Sequence, residues 1–370
     1  METATSRQYA VDVFRGITVA AMILVNNPGS WSAVFPPLLH ANWHGCTPTD
    51  LVFPFFLFIM GFSVHLAYQN KRPAGLNRNL VRKLVQRTLL IFAFGLLLSL
   101  YPKFDFSTVQ IPGVLQRISV VFLFCSMSYF LLSVVNQVRL AAALLVLYYL
   151  VMTVVPVPGI GEATLEKETN LGAWVDRLLL NGHLWAQSKT WDPEGILSTF
   201  PAMVTGLLGM LSGQFFTAAK TTERQTIFLF MTGATLTVTG LAWSLIFPIN
   251  KALWTSSYVL YTGGLAMLCF GWCHWMIEGL QIRAWSRPFQ WFGMNAIFVF
   301  VASGLLAKTL LRVRWTSGET AYSIWSWLFE NLYVSWLPIK IASLFFALTW
   351  VAAFGFLLRW MFQKNWILKV

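Results

Sequence analysis

The sequence predicts an all-α, polytopic integral membrane protein. Of its 370 residues 57% are hydrophobic and only 11% are charged, and the mean hydropathy is +0.63. A soluble domain of this length usually carries about a quarter charged residues. Apolar runs of about 20 residues recur along the whole chain, which is the length that a helix needs to cross a bilayer.

The apolar runs predict about ten transmembrane helices. They lie at about 10–29, 51–69, 87–102, 114–134, 140–156, 196–215, 225–247, 256–277, 289–310 and 338–360. No hydrophilic block between them is long enough to fold alone, so residues 1–370 are predicted to form a single transmembrane domain. We expect the first run to remain as a span, because Asp12 and Arg15 interrupt it and no convincing cleavage site follows.

The distribution of basic residues predicts the orientation. Connections on one side hold fifteen Lys and Arg, among them Arg7 and Lys369, against eight on the other side. Cytoplasmic loops carry such an excess, so both termini are predicted to be cytoplasmic and the 30–50 connection extracytoplasmic. The net charge of +12 therefore reflects membrane topology, and we expect no nucleic-acid partner. The aromatic segment 320–336 is predicted to lie along the outer interface.

The first predicted span carries polar residues on one face. Asp12, Arg15, Val19, Met22 and Asn26 follow at steps of three and four, which places them on one side of a helix. Charged side chains facing lipid cost several kcal/mol, about 2.5–3.5 at the centre of a span, so this face is expected to look into the protein. The alternative is a structural Asp12–Arg15 ion pair near the helix start.

The connection after the first span holds the candidate acid–base residues. His40 is a plausible general base, because histidine titrates near neutral pH. Trp43, His44 and Asp50 lie beside it in the sequence, although Asp50 can also be a cap for the second span. His40 and His44 have an HxxxH spacing, but the Glu of a metalloprotease motif is absent and we expect no metal.

Four further polar residues, in three parts of the chain, are candidates. Asp192 and Glu194 precede the sixth predicted span, where Asp192 is expected to be the N-cap, and they add a polar cluster on the same outer side. Arg117 lies at the outer end of the fourth span and is either a structural counter-ion or an anion contact. Asn295 falls inside the ninth span, where a buried Asn usually joins helices.

Several motifs carry a resemblance to a known family. They are DVFRGITVAAMILVNNPG at 12–29, HANWHG at 40–45, TDLVFPFFLFIMGFS at 49–63, GVLQRI at 113–118, TWDPEGILST at 190–199, PINKALWTSSYV at 248–259 and GMNAIFVF at 293–300. In this order, over nearly the whole chain, they resemble the heparan-α-glucosaminide N-acetyltransferase family. The resemblance implies a membrane acyltransferase that takes acetyl from cytosolic acetyl-CoA and passes it to a sugar amine across the membrane.

The resemblance also implies the site. His40 matches the catalytic histidine, and Asn26 matches its active-site companion. Arg15 and Asn26 are eleven residues apart, about 17 Å along a helix, which is close to the reach of a pantetheine arm. We expect acetyl-CoA as co-substrate near Asp12, Arg15, Arg117 and Asn295, and an amino sugar or glycan near Trp43, His44, Asp50, Asp192 and Glu194.

Two other functions stay open from the sequence. One is an O-acetyltransferase of envelope polysaccharide, and the other is a secondary transporter or carrier. A transporter should respond to an ion gradient and consume no thioester, whereas an acyltransferase should turn over thioester in detergent. The expected surroundings are membrane lipid in the bacterial inner membrane, and a homodimer is compatible with this interpretation.

Overall fold

A computed structural model describes residues 8–317 and 320–368. The two chain termini, with Arg7 and Lys369, lie outside the described residues. Within this part, most residues are helical and the only strands form one short hairpin, as expected for the predicted all-α class. The α-helices are α1 (Tyr9–Asn26), α2 (Val52–Tyr68), α3 (Arg78–Leu100), α4 (Val114–Leu131), α5 (Val134–Val154), α6 (Leu171–Leu180), α7 (Ile196–Ala218), α8 (Thr222–Trp243), α9 (Ser256–His274), α10 (Arg287–Met294), α11 (Ala296–Arg312), α12 (Ile324–Phe329) and α13 (Ile339–Gln363).

Each of the ten predicted spans contains a helix, but fewer have the length and composition of a span. Eight helices of the described chain are long and apolar enough to cross a membrane, and α10 with α11 makes a ninth as a bent pair. The helix in the remaining run, α9, has 19 residues but is diluted by Ser, Thr, Gly and Tyr. The protein is an integral membrane protein, and ten is an approximate count.

Several helix starts follow from their first polar residue. Asn77, Ser133, Asn170 and Thr221 each accept a hydrogen bond from the backbone N–H three residues later. Such an N-cap satisfies one of the four backbone donors that a helix leaves unbonded at its start. These caps separate α3, α5, α6 and α8 from the connections before them, and α3 and α5 begin six or more residues earlier than predicted.

The described residues divide into two compact units. Of these residues, unit 1 comprises 8–40, 47–52, 272–317 and 320–368, and unit 2 comprises 41–46 and 53–271. In unit 1, α1 packs closely on α10. A Cβ at Gly16 would lie 1.7 Å from the carbonyl oxygen of Phe289, and one at Gly293 would lie 1.9 Å from that of Asp12. The two backbones meet only because both positions lack a side chain.

The ninth predicted span is not one continuous helix, which corrects the sequence prediction. The α10 and α11 axes differ by 73°. Asn295 lies at the break, where its side chain accepts from the backbone N–H of Leu368 at 2.9 Å and donates to the carbonyl of Trp366 at 3.2 Å. A break at membrane depth leaves backbone groups unbonded unless other residues pair with them. Asn295 therefore ties the C-terminal segment to the bend.

Unit 2 has buried helices at its centre and exposed helices around them. In their most apolar stretches α2 and α4 are 61% buried and α7 is 67% buried, whereas α3, α5 and α8 are 22%, 28% and 17% buried. The large apolar side chains on these outer helices suit contact with lipid. A Cβ at Gly61 would lie 1.9 Å from the carbonyl oxygen of Gly206, so α2 and α7 also approach through glycine.

Two elements in the long connections were not predicted. Helix α6 lies within 157–195, and a hairpin pairs β1 (Arg314–Ser317) with β2 (Thr320–Ser323) in antiparallel register, Trp315 opposite Tyr322. The aromatic segment 320–336 forms strand β2, the six-residue α12 and one π turn at Glu330–Val334, which is too short for a span.

Candidate active site

His40 is held by a buried carboxylate in unit 1. Its Nδ1 lies 2.7 Å from Oδ1 of Asp50, and Asp50 is 1% exposed whereas the His40 side chain is about half exposed, at 49%. If His40 is neutral, it must donate its Nδ1 proton here, because the carboxylate only accepts. The lone pair is then on Nε2. This is the arrangement by which a second residue fixes the tautomer and orientation of a general base.

The backbone around Asp50 holds that carboxylate in place. Asp50 lies in the short 3₁₀ helix Pro48–Leu51, and its Oδ2 accepts from the backbone N–H of Thr47 at 3.0 Å. The hydroxyl of Thr47 donates to the carbonyl oxygen of Leu39 at 2.6 Å, which fixes the residue before His40. Asp50 therefore acts in a cap, but of this short helix before α2, where Thr47 is the N-cap and Asp50 its capping-box partner. A direct contact between Asp50 and the substrate stays a prediction.

The polar face of α1 is buried along most of its length. Asp12, Val19 and Met22 are at most 5% exposed, as expected for a face turned into the protein. Asn26, the last residue of α1, is exposed instead, and its side chain makes no hydrogen bond to any residue that the structure describes. The neighbouring Asn27 is buried and donates to the carbonyl oxygen of Ile23 at 2.8 Å. The amide of Asn26 is thus available to a ligand.

Two of the predicted cofactor residues, Asp12 and Arg15, form an ion pair beside the break in unit 1. Nη1 of Arg15 donates to Oδ1 of Asp12 at 2.9 Å and to the carbonyl oxygen of Gly293 at 3.2 Å. Gly293 is two residues before Asn295. The alternative interpretation, an Asp12–Arg15 ion pair, is therefore observed. The Arg15 side chain remains 23% exposed, so a contact with a phosphate stays a prediction.

The residues after His40 belong to unit 2. Trp43 donates from Nε1 to the carbonyl oxygen of Leu165 at 2.9 Å and packs edge-on against Trp191, with 5.3 Å between ring centroids. His44 is exposed and accepts at Nδ1 from the side-chain amide of Asn250 at 3.4 Å. Asn250 also accepts the backbone N–H of Leu253, so the turn before α9 supports this connection.

Asp192 is not the N-cap of the sixth span, which corrects the prediction. Helix α7 begins at Ile196, and the carboxylate that accepts the N–H of Ile196, at 2.9 Å, belongs to Asp176 in α6. Asp192 instead accepts from the N–H of Glu194 two residues on, which makes an Asx turn, and from the Gln110 side chain. Its carboxylate joins the connection before α4 to the connection before α7 in unit 2.

Arg117 lies in the same part of unit 2. It is 3% exposed, and its Nη2 donates to the carbonyl oxygen of Gly195 at 3.1 Å and to the hydroxyl of Ser198 at 2.5 Å. Its guanidinium lies over the ring of Trp254, 5.1 Å from the centroid. The cofactor role predicted for Arg117 stays a prediction, and the charged groups around it are the carboxylates of Asp176, Asp192 and Glu194.

Asp176 is a member of this cluster that was not predicted from the sequence. It is 3% exposed and lies against Gly195, where a Cβ would be 2.1 Å from its Oδ2. In the sequence, it stands out only as a single carboxylate within a short apolar stretch of a long connection.

Burial changes the protonation of this cluster. Desolvation raises the pKa of Glu194 to about 7 and that of Asp176 to about 6, and it raises the pKa of Asp192 as well. The positive charge of Arg117 opposes each of these shifts but does not cancel them. Carboxyl groups that titrate near neutrality in a partly enclosed site are typical of functional positions.

The protein is a helical membrane protein. Its candidate site has a histidine held by a carboxylate, His40 with Asp50, and a cluster of three buried or partly buried carboxylates, Asp176, Asp192 and Glu194. A family model described as "Heparan-alpha-glucosaminide N-acetyltransferase, catalytic" matches residues 7–249, more than half of the chain. The chain belongs to this family.

Two curated relatives agree with the family match. Heparan-alpha-glucosaminide N-acetyltransferase of Mus musculus is 28% identical over 366 residues, which cover 82% of this chain and 54% of the relative. The Homo sapiens protein of the same name is 29% identical over 353 residues, 80% of this chain and 52% of the relative. The chain thus spans about half the length of the curated relatives it matches.

Proposed function

We propose that the protein is a membrane acetyltransferase that moves an acetyl group from cytosolic acetyl-CoA to the amine of a glucosamine-type sugar or glycan outside the cytoplasm. The observation that carries the proposal is the His40–Asp50 pair, in the motif region that the catalytic family model covers. The names of the relatives supply the acetyl group and the amino-sugar acceptor.

His40 is proposed as the general base. Because Asp50 holds Nδ1, Nε2 would take the proton that the acceptor amine loses as its nitrogen bonds to the acetyl carbon. Asn26 would donate a hydrogen bond to the carbonyl oxygen as negative charge develops there. Acetyl-CoA supplies the acetyl group as a thioester and leaves as the thiol, which takes up the proton. A covalent acetyl-His40 intermediate is the competing route.

Residues at the predicted inner side suit the donor. Arg15 is proposed to meet a phosphate of CoA, with Asp12 and Asn295 shaping the break beside it in unit 1. In unit 2, the first turns of α3 expose Arg78, Arg82 and Lys83, and no acidic residue occurs between Asp50 and Asp105. An uncompensated basic stretch attracts phosphate groups, whether of CoA or of lipid.

Residues of unit 2 at the predicted outer side suit the acceptor. Trp43 and Trp191 offer aromatic rings, and His44, Asp192 and Glu194 offer polar groups beside them. We propose Asp50 as a residue that positions His40, since both of its oxygens already accept hydrogen bonds from the chain. Arg117 is proposed to act on this acceptor side, because its hydrogen-bond partners Gly195 and Ser198 directly follow Asp192 and Glu194 in the chain.

The test is thioester turnover in detergent, where no ion gradient exists. Purified protein with acetyl-CoA and glucosamine is expected to release CoA thiol, and release should depend on the amine. A secondary transporter would release none under these conditions. Release that is equally fast with glucose as acceptor would favour the O-acetyltransferase instead.

A further inference from the structure

The buried guanidinium of Arg117 in unit 2 makes only some of the hydrogen bonds that it can donate. Nη2 makes both of its hydrogen bonds, while Nε and Nη1 have no hydrogen-bond partner among the residues that the structure describes. Buried donors are nearly always bonded, and a charged donor left unbonded is costly. The three N–H groups on these two nitrogens therefore indicate that an acceptor group from outside the chain completes the site.

A carboxylate in the same cluster also has unused capacity. Glu194 is partly buried, and its carboxylate accepts no hydrogen bond from the described part of the chain. Arg117, Asp192 and Lys251 are the charged groups that act on it. The carboxylate of Asp176, by contrast, accepts from the N–H of Ile196 and is also hydrogen-bonded to the backbone of Asp192. The cluster thus contains both donors and acceptors that the chain does not satisfy.

The charges do not balance. Three carboxylates, Asp176, Asp192 and Glu194, are accompanied by two cations, Arg117 and Lys251. One negative charge is in excess when all are ionised, and burial makes this unfavourable. Within residues 8–317 and 320–368, no three His, Cys, Asp or Glu side chains are grouped so as to hold a metal ion. An organic cation bound here would balance the charge without protonation of a carboxyl group.

The cluster opens on a cleft with aromatic walls. Trp43, Trp191, Tyr148, Asp176, Asp192 and Ser198 line it, and Arg117 is hydrogen-bonded to the lining residue Ser198. The ring of Trp43 already has a cation over it, with Lys167 Nζ 5.8 Å from the centroid. Aromatic faces attract both cations and the C–H faces of sugar rings.

We propose that this cluster binds the protonated amine of the acceptor sugar and so makes the enzyme select amines over hydroxyls. Glu194 and Asp176 accept from the ammonium group, the Nε and Nη1 groups of Arg117 donate to a hydroxyl oxygen of the same sugar, and Trp43 and Trp191 flank the ring. The ammonium then transfers one proton to the Glu194 carboxylate, which leaves a neutral amine and a carboxylic acid. This inference rests on the proposed function for the identity of the ligand.

The test measures amino-sugar binding separately from catalysis. Binding of glucosamine to the detergent-purified full chain, without acetyl-CoA, is measured by calorimetry for the wild type, Glu194→Gln, Asp176→Asn and the control Glu162→Gln, an exposed glutamate of the same unit. Loss of a charge-assisted hydrogen bond should weaken binding about 10- to 100-fold in the first two variants and leave the control unchanged. N-acetylglucosamine and glucose, which lack the ammonium, should bind the wild type at least about 10-fold more weakly.

Each outcome decides a different claim. Wild-type affinity in Glu194→Gln, or equal affinity of the wild type for glucosamine and glucose, overturns the amine subsite while the acetyltransferase proposal stands. Acetyl-CoA binding to each variant, measured in parallel, verifies that the protein is folded. If glucosamine binds as expected but no thiol is ever released with acetyl-CoA, the subsite stands and the acetyltransferase proposal fails.

Discussion

His40 and Asp50 are ten residues apart, and the chain between them folds back so that one buried carboxylate holds the ring and caps the 3₁₀ helix after Thr47. The sequence motif identified His40 as the catalytic candidate. For Asp50, the sequence left two interpretations open, a helix cap and a substrate contact. Pattern alone could not show that the same carboxylate does two things, because the pairing depends on the path of an irregular connection.

Replacing Asp50 by Asn tests its positioning of His40. The amide keeps the shape and can still accept from Thr47, but it removes the charge that stabilises a protonated imidazole. We expect kcat to fall about 10- to 100-fold and the binding of acetyl-CoA to stay unchanged. Steady-state kinetics would measure this, with Asp105→Asn, an exposed carboxylate in another connection, as control. An unchanged kcat would remove Asp50 from the mechanism.

Glu194 gives a prediction about stability and pH. Its pKa rises from 4.5 unfolded to about 7 folded, so the folded state binds the proton more tightly. The carboxyl then opposes folding above pH 7 and has no effect below about pH 4.5, with the change between these values.

Glu194→Gln should therefore stabilise the protein at neutral pH, by about 1–3 kcal/mol, and flatten the dependence of stability on pH over that window. Thermal unfolding in detergent from pH 4.5 to pH 8 would measure it. A variant that is less stable than the wild type at pH 8 would contradict this, because it would show that the ionised carboxylate of Glu194 stabilises the folded protein.

At the level of elements, the hydrophobic runs located the helices well, because helices in a membrane must satisfy their own backbone and so follow apolar length closely. The bend between α10 and α11 was missed, since Gly293 and Asn295 are also common in unbroken spans. Helix α6 and the β1–β2 hairpin were missed because the long connections have no strong periodic pattern. The start of α7 at Ile196 agrees with the predicted span, but its cap was wrongly assigned to Asp192 because the carboxylate that accepts from Ile196, Asp176, belongs to another element.

The contact between α1 and α10 predicts a glycine requirement. Gly16→Ala would place a Cβ 1.7 Å from the carbonyl oxygen of Phe289, and backbone cannot move aside without separating the helices. We expect a loss of stability of about 1–3 kcal/mol or more. Gly355→Ala in α13 is the matched control, since its Cβ would meet only the Phe292 ring at 3.5 Å. Equal melting temperatures for both variants would contradict the close packing.

At the scale of the whole molecule, the charge asymmetry predicts which residues face the cytoplasm. A single cysteine at Glu162, in the predicted outer connection, should react with a membrane-impermeant maleimide in intact cells, and one at Lys83 should react only after lysis. Native cysteines are replaced by Ser in both variants to remove background labelling. Labelling of the Lys83 position in intact cells would show that the topology is the reverse of the predicted one. The proposed sides of donor and acceptor would then be reversed as well.

The most direct test of the central claim is the transfer of the acetyl group itself. Wild-type protein, His40→Ala and Asn26→Ala are each incubated with ¹³C-acetyl-CoA and glucosamine, and labelled N-acetylglucosamine is measured by mass spectrometry. Asn79→Ala, an exposed asparagine on α3, is the control for the Asn26 variant. We expect labelled product from the wild type and the control, and at least about 100-fold less from His40→Ala. Wild-type product formation by both His40→Ala and Asn26→Ala would contradict the proposed site.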